Sequence, residues 1–311
     1  MRIGVDLGGT KIEAIALDEE GRALGRQRVA TPRDDYSATV AAVAEIVSKL
    51  ERDLGRRGSV GVGIPGAISP SSGLVKNANS VWLIGRPLDR DLGTALDREV
   101  RLENDANCFA LSEATDGAAA GASPVFGVIL GTGVGGGIVV EGRPLIGRQA
   151  IAGEWGHNPL PWPEDKELPG PACYCGRRGC IETFLSGPGL ASDYAAGGGA
   201  KLTAQDVVDR GAQGDAVAEA ALRRYEDRLA RGLASVINVL DPEAIVLGGG
   251  LSNLSRLYTA LPELLPKYVF SDRVDTAILP PKHGDSSGVR GAAWLWPAAD
   301  PEAAADRAFR S

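Results

Sequence analysis

Apolar and polar residues follow patterns along this chain that predict both strands and helices. Apolar runs at residues 3–10, 128–137 and 245–250 each lead into a glycine-rich turn, which is typical of buried strands in an α/β protein. Residues 36–54 and 215–240 carry apolar side chains at helical spacing, so we expect two amphipathic helices whose stripes face a core. The pattern as a whole predicts an α/β fold.

The first two strand-turn segments continue in the same way. Residues 12–17 and 138–140 predict a second strand, and Glu-Gly-Arg follows each of them. A hairpin repeated about 120 residues later indicates an internal duplication. We therefore expect two related α/β domains around a central cleft, the smaller from residues 1–117 plus a C-terminal helix at about 287–311, the larger from residues 118–286.

Length and charge restrict the function classes. The chain has 311 residues, of which 44% are apolar and 23% charged, and this composition argues against disorder. Lys and Arg number 33 against 40 Asp and Glu, a formal charge of −7 without a basic run, so nucleic-acid and membrane-surface binding are disfavoured. Neither a signal peptide nor an apolar run of about 18 residues stands out, and we expect a cytoplasmic protein.

The 42 glycines are about twice the usual share, and many fall in the three turns. Residues 131–136 match G-x-G-x-x-G, but a dinucleotide site needs a helix after the glycines and a strand follows here. The turns are either tight turns without a ligand or loops whose backbone amides approach phosphates. Three such turns, two of them in matched hairpins, favour nucleotide binding.

One carboxylate and one lysine accompany the first turn. Asp6 is charged on an otherwise apolar strand, and Mg²⁺ carried by a nucleotide would give it a partner. Lys11 is either a phosphate partner or a solvent-exposed lysine. The other candidates for phosphate contact in the first two turns are Gly8, Gly9, Thr10, Thr132 and Gly133.

A second carboxylate could take part in chemistry. Residues 100–107 predict a strand that ends in a polar cluster, followed by a helix from about Ala106. Asp105 at this junction is either the N-cap of the helix or a general base that accepts a proton from a substrate hydroxyl. The spacing supports both. We expect Cys108 in the same helix to be a buried small residue.

The remaining cysteines form a cluster. Cys173, Cys175 and Cys180 fall within eight residues, and His157 precedes them by sixteen. Three thiolates and one imidazole would make a closed, structural zinc site, whereas a disulfide or inert cysteines are the alternatives. A cytoplasmic setting favours zinc. The second ring nitrogen of His157 would then be left to donate to a substrate hydroxyl.

Taken together, these motifs resemble the ROK family (repressors, open reading frames and sugar kinases). The family's Asp-x-Gly-Gly-Thr, Glu-x-Gly-His and Cys-x-Cys-Gly-x-x-Gly-Cys-x-Glu stand at residues 6–10, 154–157 and 173–182, and its Asn-Asp pair is Asn104 and Asp105. The longer runs that are similar to the bacterial fructokinase and mannokinase branch are residues 31–36, 75–80, 153–162 and 284–296.

The resemblance implies an actin-like ATPase fold with ribonuclease H-like halves, and a homodimer. It implies ATP, Mg²⁺ and structural Zn²⁺, and transfer of the γ-phosphate to the 6-hydroxyl of a free hexose. The longer runs point to D-fructose, with D-mannose, and glucose or N-acetylglucosamine is the alternative. A sugar-responsive repressor of the same family is disfavoured, because the first strand starts at Arg2 and leaves no room for a helix-turn-helix segment.

The resemblance also assigns roles to residues. It makes Asp105 the general base and makes His157, Cys173, Cys175 and Cys180 the zinc ligands. It places the 131–133 loop at the phosphates, and Gly249 and Gly250 near the nucleoside. The sugar contacts that it implies are Asn104, Glu154, His157 and Glu182, with Gly66 and Asn79 as weaker candidates.

Overall fold

The computed structural model describes residues 1–297 as parts of two compact units. Unit 1 contains residues 1–112, 146–151 and the described residues from 286 onward, and unit 2 contains residues 113–145 and 152–285. The helix expected at about 287–311 is described from residue 287 to 294, and residues 298–311 lie outside the described part. Among the helices that the structure describes, none has the length and hydropathy needed to span a membrane.

The described strands and α-helices are numbered in chain order. The strands are β1 (Arg2–Leu7), β2 (Lys11–Leu17), β3 (Ala23–Ala30), β4 (Ser59–Ile64), β5 (Ala67–Ile68), β6 (Val75–Lys76), β7 (Val100–Asn104), β8 (Val125–Leu130), β9 (Val134–Val140), β10 (Arg143–Pro144), β11 (Ala244–Gly248) and β12 (Ala277–Leu279). The helices are α1 (Tyr36–Leu54), α2 (Leu88–Leu96), α3 (Asp105–Thr115), α4 (Ile181–Leu185), α5 (Gly187–Ala196), α6 (Ala204–Ala212), α7 (Ala216–Leu240), α8 (Leu257–Leu264) and α9 (Ser287–Trp294).

Unit 1 is built on a five-stranded sheet in the order β3-β2-β1-β4-β7. β1, β2 and β3 pair antiparallel, whereas β4 and β7 run parallel to β1. Helix α9 packs closely on the sheet, because a Cβ at Gly4 would lie 2.0 Å from the Val289 oxygen and one at Gly61 would lie 1.9 Å from the Ala292 oxygen. Two glycines thus let a helix backbone approach the strands.

Unit 2 repeats this topology. Its sheet has the order β10-β9-β8-β11-β12, with the first three strands antiparallel and β11 and β12 parallel to β8. Helix α7 buries its apolar stripe in the core of this unit, and its N-cap Asp215 accepts hydrogen bonds from the amides of Val217 and Ala218. The duplicated α/β fold and the helices expected at 36–54 and 215–240 are confirmed.

One sequence-based expectation is wrong in detail. Residues 135–137 belong to β9 rather than to the preceding turn, because strand packing requires small residues there: a Cβ at Gly136 would lie 2.8 Å from the Phe126 ring. The segment 158–172 is largely exposed, yet it buries Glu167 to 6% exposure. Charge alone suggested a surface position, but Arg228 and Arg231 of α7 neutralise this carboxylate.

Candidate active site

The carboxyl ends of the parallel strands in unit 1 carry several predicted site residues. Asp6 on β1 pairs in register with Gly63 on β4, and Gly63 pairs with Glu103 on β7. Since neighbouring strands lie about 4.8 Å apart, β1 and β7 are separated by roughly 10 Å. Ligands of open α/β sheets bind at this edge of the strands. The fold therefore brings Asp6 and the Asn104-Asp105 pair to one edge.

The Asn104-Asp105 pair lies at the start of α3. The helix includes Asp105 as its first residue, so Asn104 takes the preceding cap position. The Ala106 amide donates to Asn104 Oδ1 at 2.9 Å and to Asp105 Oδ1 at 2.8 Å. Asn104 Nδ2 donates to the Gly66 oxygen at 3.2 Å. The Asn104 side chain thus caps α3 and links it to the backbone at Gly66. The carboxylate of Asp105 is exposed.

Glu103 precedes this pair on β7 and was not recognised from the sequence. Its Oε1 accepts from the Asn104 amide at 2.8 Å and from Asn107 Nδ2 at 3.0 Å. Burial raises the pKa of Glu103 above its usual range, and these two hydrogen bonds oppose the rise. Alternation from Val100 and Leu102 along β7 places Glu103 on the opposite face, so no local pattern indicated its burial.

Asp6 lies beside Glu13, a second carboxylate that was not recognised from the sequence. Glu13 on β2 is paired directly with Asp6 across the antiparallel strands and is 2% exposed. Arg26 and Arg28 bond the Glu13 carboxylate, and Lys11 Nζ lies 3.8 Å from it. Burial, and next the charge of Glu13, raise the pKa of Asp6, while Lys11 and Arg28 lower it. Lys11 is therefore neither fully exposed nor unpaired: it neutralises Glu13.

The first glycine turn is held by backbone bonds. The Gly8 amide donates to the Lys11 oxygen at 3.0 Å, and Thr31 donates from its amide to the Thr10 oxygen at 3.1 Å and from its hydroxyl to the Gly8 oxygen at 2.7 Å. A Cβ at Gly9 would stand 3.5 Å from the Ser80 hydroxyl. The Gly8 amide is thus used within the turn, and Thr10 is exposed.

The weaker sugar candidates are also near Asn104. A Cβ at Gly66 would lie 2.7 Å from the Lys76 oxygen, so the backbone at 66 packs against the β5-β6 hairpin. The Asn79 amide donates to the Pro65 oxygen at 3.2 Å. The structure therefore brings Gly66, Asn79 and Asn104 together within unit 1.

In unit 2, the second glycine turn borders a cavity of about 580 Å³. Two predicted nucleotide contacts, Thr132 and Gly250, line this cavity together with the apolar side chains of Pro188, Leu202 and Leu251. The neighbouring Gly249 has φ 81°, and a Cβ there would lie 2.5 Å from the Leu130 oxygen. The cavity thus combines a glycine turn with an apolar wall, as a nucleotide requires.

Helix N-termini supply the other polar groups of this cavity. Gly187 of α5, Thr203 at the cap of α6 and Gly250 of the 3₁₀ helix Gly250–Asn253 all line it. Helix N-termini carry partial positive charge and amides that favour phosphate. The first two were not assigned from the sequence, although Ser186-Gly-Pro and Thr203-x-x-Asp are recognisable helix starts.

Glu182 contacts the second glycine turn directly. It lies in α4, and its Oε2 accepts from the Val134 amide at 2.9 Å. A Cβ at Gly133 would lie 2.7 Å from the same oxygen. Gly133 therefore leaves the space that the Glu182 carboxylate occupies.

His157 contacts Tyr174, another residue that was not recognised from the sequence. The Tyr174 hydroxyl lies 3.0 Å from His157 Nε2. Although Tyr174 is 79% exposed, partial desolvation, and next the negative charge of Glu182, raise its pKa to about 12. His157 and Tyr174 are therefore in contact, and Glu154 precedes His157 by three residues on the same segment.

Close backbone packing places this segment. A Cβ at Gly153 would lie 2.3 Å from the Gly136 oxygen, and one at Gly156 would lie 2.1 Å from the Val134 oxygen. Between them, Trp155 Nε1 donates to the Gly135 oxygen at 2.9 Å. The segment that presents Glu154 and His157 is thus seated on β9, directly after the glycine turn.

The four predicted metal ligands lie together. The ligand atoms of His157, Cys173, Cys175 and Cys180 are all within 4.8 Å of one another, and the four cysteines of the chain are free thiols. Cys175 Sγ to Cys180 Sγ and Cys173 Sγ to His157 Nδ1 are both 3.6 Å. Tetrahedral zinc with its usual bond lengths would separate two sulfurs by about 3.8 Å and a sulfur and a nitrogen by about 3.5 Å. The donor set and its spacing fit zinc.

Comparisons with known proteins agree with these features. The sequence model of the ROK family matches residues 2–299. N-acetyl-D-glucosamine kinase from Escherichia coli O127:H6 is 44% identical over 300 residues, which cover 95% of this chain and 99% of that protein. The corresponding enzyme of Salmonella gallinarum is also 44% identical, over 299 residues, with the same coverage.

Two solved structures that resemble this chain are also ROK family sugar kinases. The ROK hexokinase from Thermus thermophilus has a TM-score of 0.83 and 34% identity, covering 94% of this chain and 96% of that one. A ROK family glucokinase from Streptomyces griseus, solved with glucose and AMPPNP, has a TM-score of 0.75 and 30% identity, covering 94% and 98%. The expected actin-like ATPase fold is confirmed.

Proposed function

We propose that this chain, which belongs to the ROK family as a sugar kinase, phosphorylates N-acetyl-D-glucosamine with ATP. The observation that carries the choice of sugar is the 44% identity, over nearly the full length of both proteins, to enzymes named N-acetyl-D-glucosamine kinase. D-Fructose and D-mannose, the sugars expected from the longer sequence runs, have less support than this alternative. We assign the 6-hydroxyl as the phosphoryl acceptor, as the family resemblance implies.

The exposed position of Asp105 at the end of β7 supports a role as general base. Asp105 would accept the proton of the sugar hydroxyl while that oxygen forms its bond to the γ-phosphorus. The bond from the γ-phosphorus to the bridging oxygen then breaks, and ADP leaves. Asn104 would help to orient the sugar, because its hydrogen bond to Gly66 fixes the amide beside the base.

The nucleotide would occupy the cavity of unit 2. The turn at 131–133 and the N-termini of α5 and α6 would hold phosphates, and the apolar wall would contact the base. In unit 1, the Gly8–Gly9–Thr10 turn is a second phosphate candidate. Asp6 suits Mg²⁺, since a divalent cation would neutralise a partly buried carboxylate whose neighbour Glu13 is also acidic. Mg²⁺ would supply charge neutralisation of the phosphates.

Zinc would be held by His157, Cys173, Cys175 and Cys180 and would stabilise the segment around them. His157 Nδ1 faces Cys173, which leaves Nε2 for a hydrogen bond. Tyr174 occupies that position and would share it with a sugar hydroxyl. Sugar hydroxyls would also be bound by Glu154 and Glu182 of unit 2. From the family resemblance we also propose a homodimer, which light scattering can test.

The test is a coupled ADP-release assay over a panel of hexoses, followed by NMR identification of the product. We expect N-acetyl-D-glucosamine to be converted to its 6-phosphate. Asp105→Asn serves as the catalytic control, since ADP release that persists in this variant would come from a contaminating kinase. A product phosphorylated at another hydroxyl, or turnover of fructose with none of N-acetyl-D-glucosamine, would contradict the proposal.

A further inference from the structure

Among the described residues, Glu182 is the predicted sugar contact whose side chain is hydrogen-bonded next to the glycine turn that borders the cavity of unit 2. Its Oε2 accepts from the Val134 amide at 2.9 Å, immediately after the turn. Among the described residues, Oε1 accepts no hydrogen bond. A carboxylate has two acceptor oxygens, so one can hold the turn while the other accepts from a second donor.

The turn is fastened to the same segment at its other end. The Gly131 oxygen accepts from the Gly187 amide at 2.8 Å, and the Ser186 amide donates to the backbone oxygen of Glu182 at 3.1 Å. Gly131 and Gly187 both line the cavity. Residues 182–187 therefore hold the turn at both ends, once through a backbone bond and once through the Glu182 carboxylate.

Glu182 also lies next to the segment that carries the sugar candidates Glu154 and His157. A Cβ at Gly156, between Glu154 and His157, would lie 2.1 Å from the oxygen of Val134, the residue whose amide Glu182 accepts from. The amide of Ile181, next to Glu182, donates to the oxygen of Asn158, next to His157, at 2.9 Å. Glu182 thus stands between the two groups of predicted ligand contacts in unit 2. If a bound sugar shifts the Glu182 carboxylate, the Val134 amide shifts with it, because the two are joined by one hydrogen bond.

We propose that Glu182 is a positioning residue that couples sugar binding to the geometry of the phosphate-binding turn. This inference rests on the proposed function, because it takes Glu182 as a sugar contact and the turn as a phosphate contact. A sugar hydroxyl that donates to Oε1 orders the carboxylate, and the ordered carboxylate fixes the turn for ATP. By linkage, the nucleotide strengthens sugar binding by the same factor.

Two substitutions break this link from opposite sides. Glu182→Gln leaves one acceptor oxygen where the carboxylate has two, so the side chain cannot accept from Val134 and from a sugar hydroxyl with different atoms. Gly133→Ala leaves Glu182 and its charge unchanged but places a Cβ 2.7 Å from Oε2, which displaces the carboxylate. Gly133 does not have a left-handed φ, so alanine fits the backbone there. Glu263→Gln, on the exposed part of α8, is the matched control for loss of one charge.

The experiment is isothermal titration calorimetry of AMPPNP with Mg²⁺, in the absence and presence of saturating N-acetyl-D-glucosamine. We expect the sugar to tighten AMPPNP binding at least fivefold in the wild-type chain and in Glu263→Gln, within the range of typical couplings. In both Glu182→Gln and Gly133→Ala the factor should fall below about twofold. A simple loss of stability lowers the fraction of active protein but leaves this ratio unchanged.

The outcomes separate this inference from the proposed function. If the wild-type chain phosphorylates the sugar but shows no coupling, or if both variants keep the wild-type factor, Glu182 does not couple the sites and the kinase assignment stands. If another hexose is the substrate in the panel assay, the titration is performed with that hexose. The same factors of AMPPNP tightening then decide whether Glu182 couples the sites. If no hexose is phosphorylated, both the proposed function and this inference are overturned.

Discussion

Glu167 lies in a buried ion cluster between the segment 158–172 and α7. Arg228 Nε bonds Glu167 Oε1 at 2.7 Å, and Arg231 bonds both carboxylate oxygens at 2.9 Å. Arg231 also donates to the Trp162 oxygen at 2.8 Å, and Arg228 bonds Asp193 of α5 at 2.7 Å. Replacing Glu167 with Gln keeps the size of the side chain and leaves two buried guanidinium groups without their shared anion.

The structure gives the size of this effect. Burial alone would raise the pKa of Glu167, but hydrogen bonds from Arg231 and Arg228 lower it from 4.5 to about 2. At about 1.36 kcal/mol per pH unit, this difference amounts to about 3 kcal/mol. Because the folded-state pKa is lowered, the stabilisation is complete above about pH 4.5 and is lost as the pH falls towards 2. Removal of one partner of a buried ion pair costs a similar amount, about 3–5 kcal/mol.

Hydrogen exchange with mass spectrometry measures this loss locally. In Glu167→Gln at pH 7, amides of residues 160–170 should exchange roughly 100-fold faster, since about 3 kcal/mol corresponds to two powers of ten. Lys166→Gln is the matched control: it removes only the surface pair with Glu164, and the same amides should change by less than about fivefold. A change of less than threefold in Glu167→Gln would refute the argument that this cluster anchors the segment.

Three further predictions concern the base, the metal site and the packing of β9. Asp105→Asn should lower kcat by about 10² to 10⁴ while sugar affinity measured by titration stays near wild type, and a loss below tenfold would disprove the base assignment. Cys175→Ser should abolish zinc binding, so about one zinc per chain in this variant by elemental analysis would reject the ligand set. Gly136→Ala puts a Cβ 2.8 Å from the Phe126 ring and should lower the unfolding free energy by about 1–3 kcal/mol; an unchanged thermal midpoint would contradict this.

The duplicated architecture could be predicted from the sequence, because hydrophobic periodicity and turn residues are local signals. The hairpin around residues 6–17 and helix α1 follow from such signals alone. The glycines of β9 were misplaced for the opposite reason. A run of glycines indicates a turn locally, whereas here it is required by the segment at residues 153–156, which is distant in the sequence and packs on the strand.

The residues of the candidate site also fall into those that local motifs indicate and those that depend on contacts distant in the sequence. Motif spacing predicted that His157 and the three cysteines lie together, as they do, and marked the Asn104-Asp105 pair as a candidate. It missed Glu13, Glu103 and Tyr174, because the importance of each depends on a partner brought close by folding. Buried carboxylates are especially hard to recognise, since the arginines that neutralise Glu13 and Glu167 lie on neighbouring strands or on a distant helix.

The central claim is that this ROK kinase acts on N-acetyl-D-glucosamine, and the ratio of its kcat/KM for this sugar to that for D-fructose tests the claim most directly. A pocket that accommodates and hydrogen-bonds the acetamido group should favour its sugar by at least about tenfold, or 1.4 kcal/mol. We therefore expect a ratio above ten, with D-glucose between the two sugars. A ratio below one would contradict the proposal and restore the fructokinase expectation.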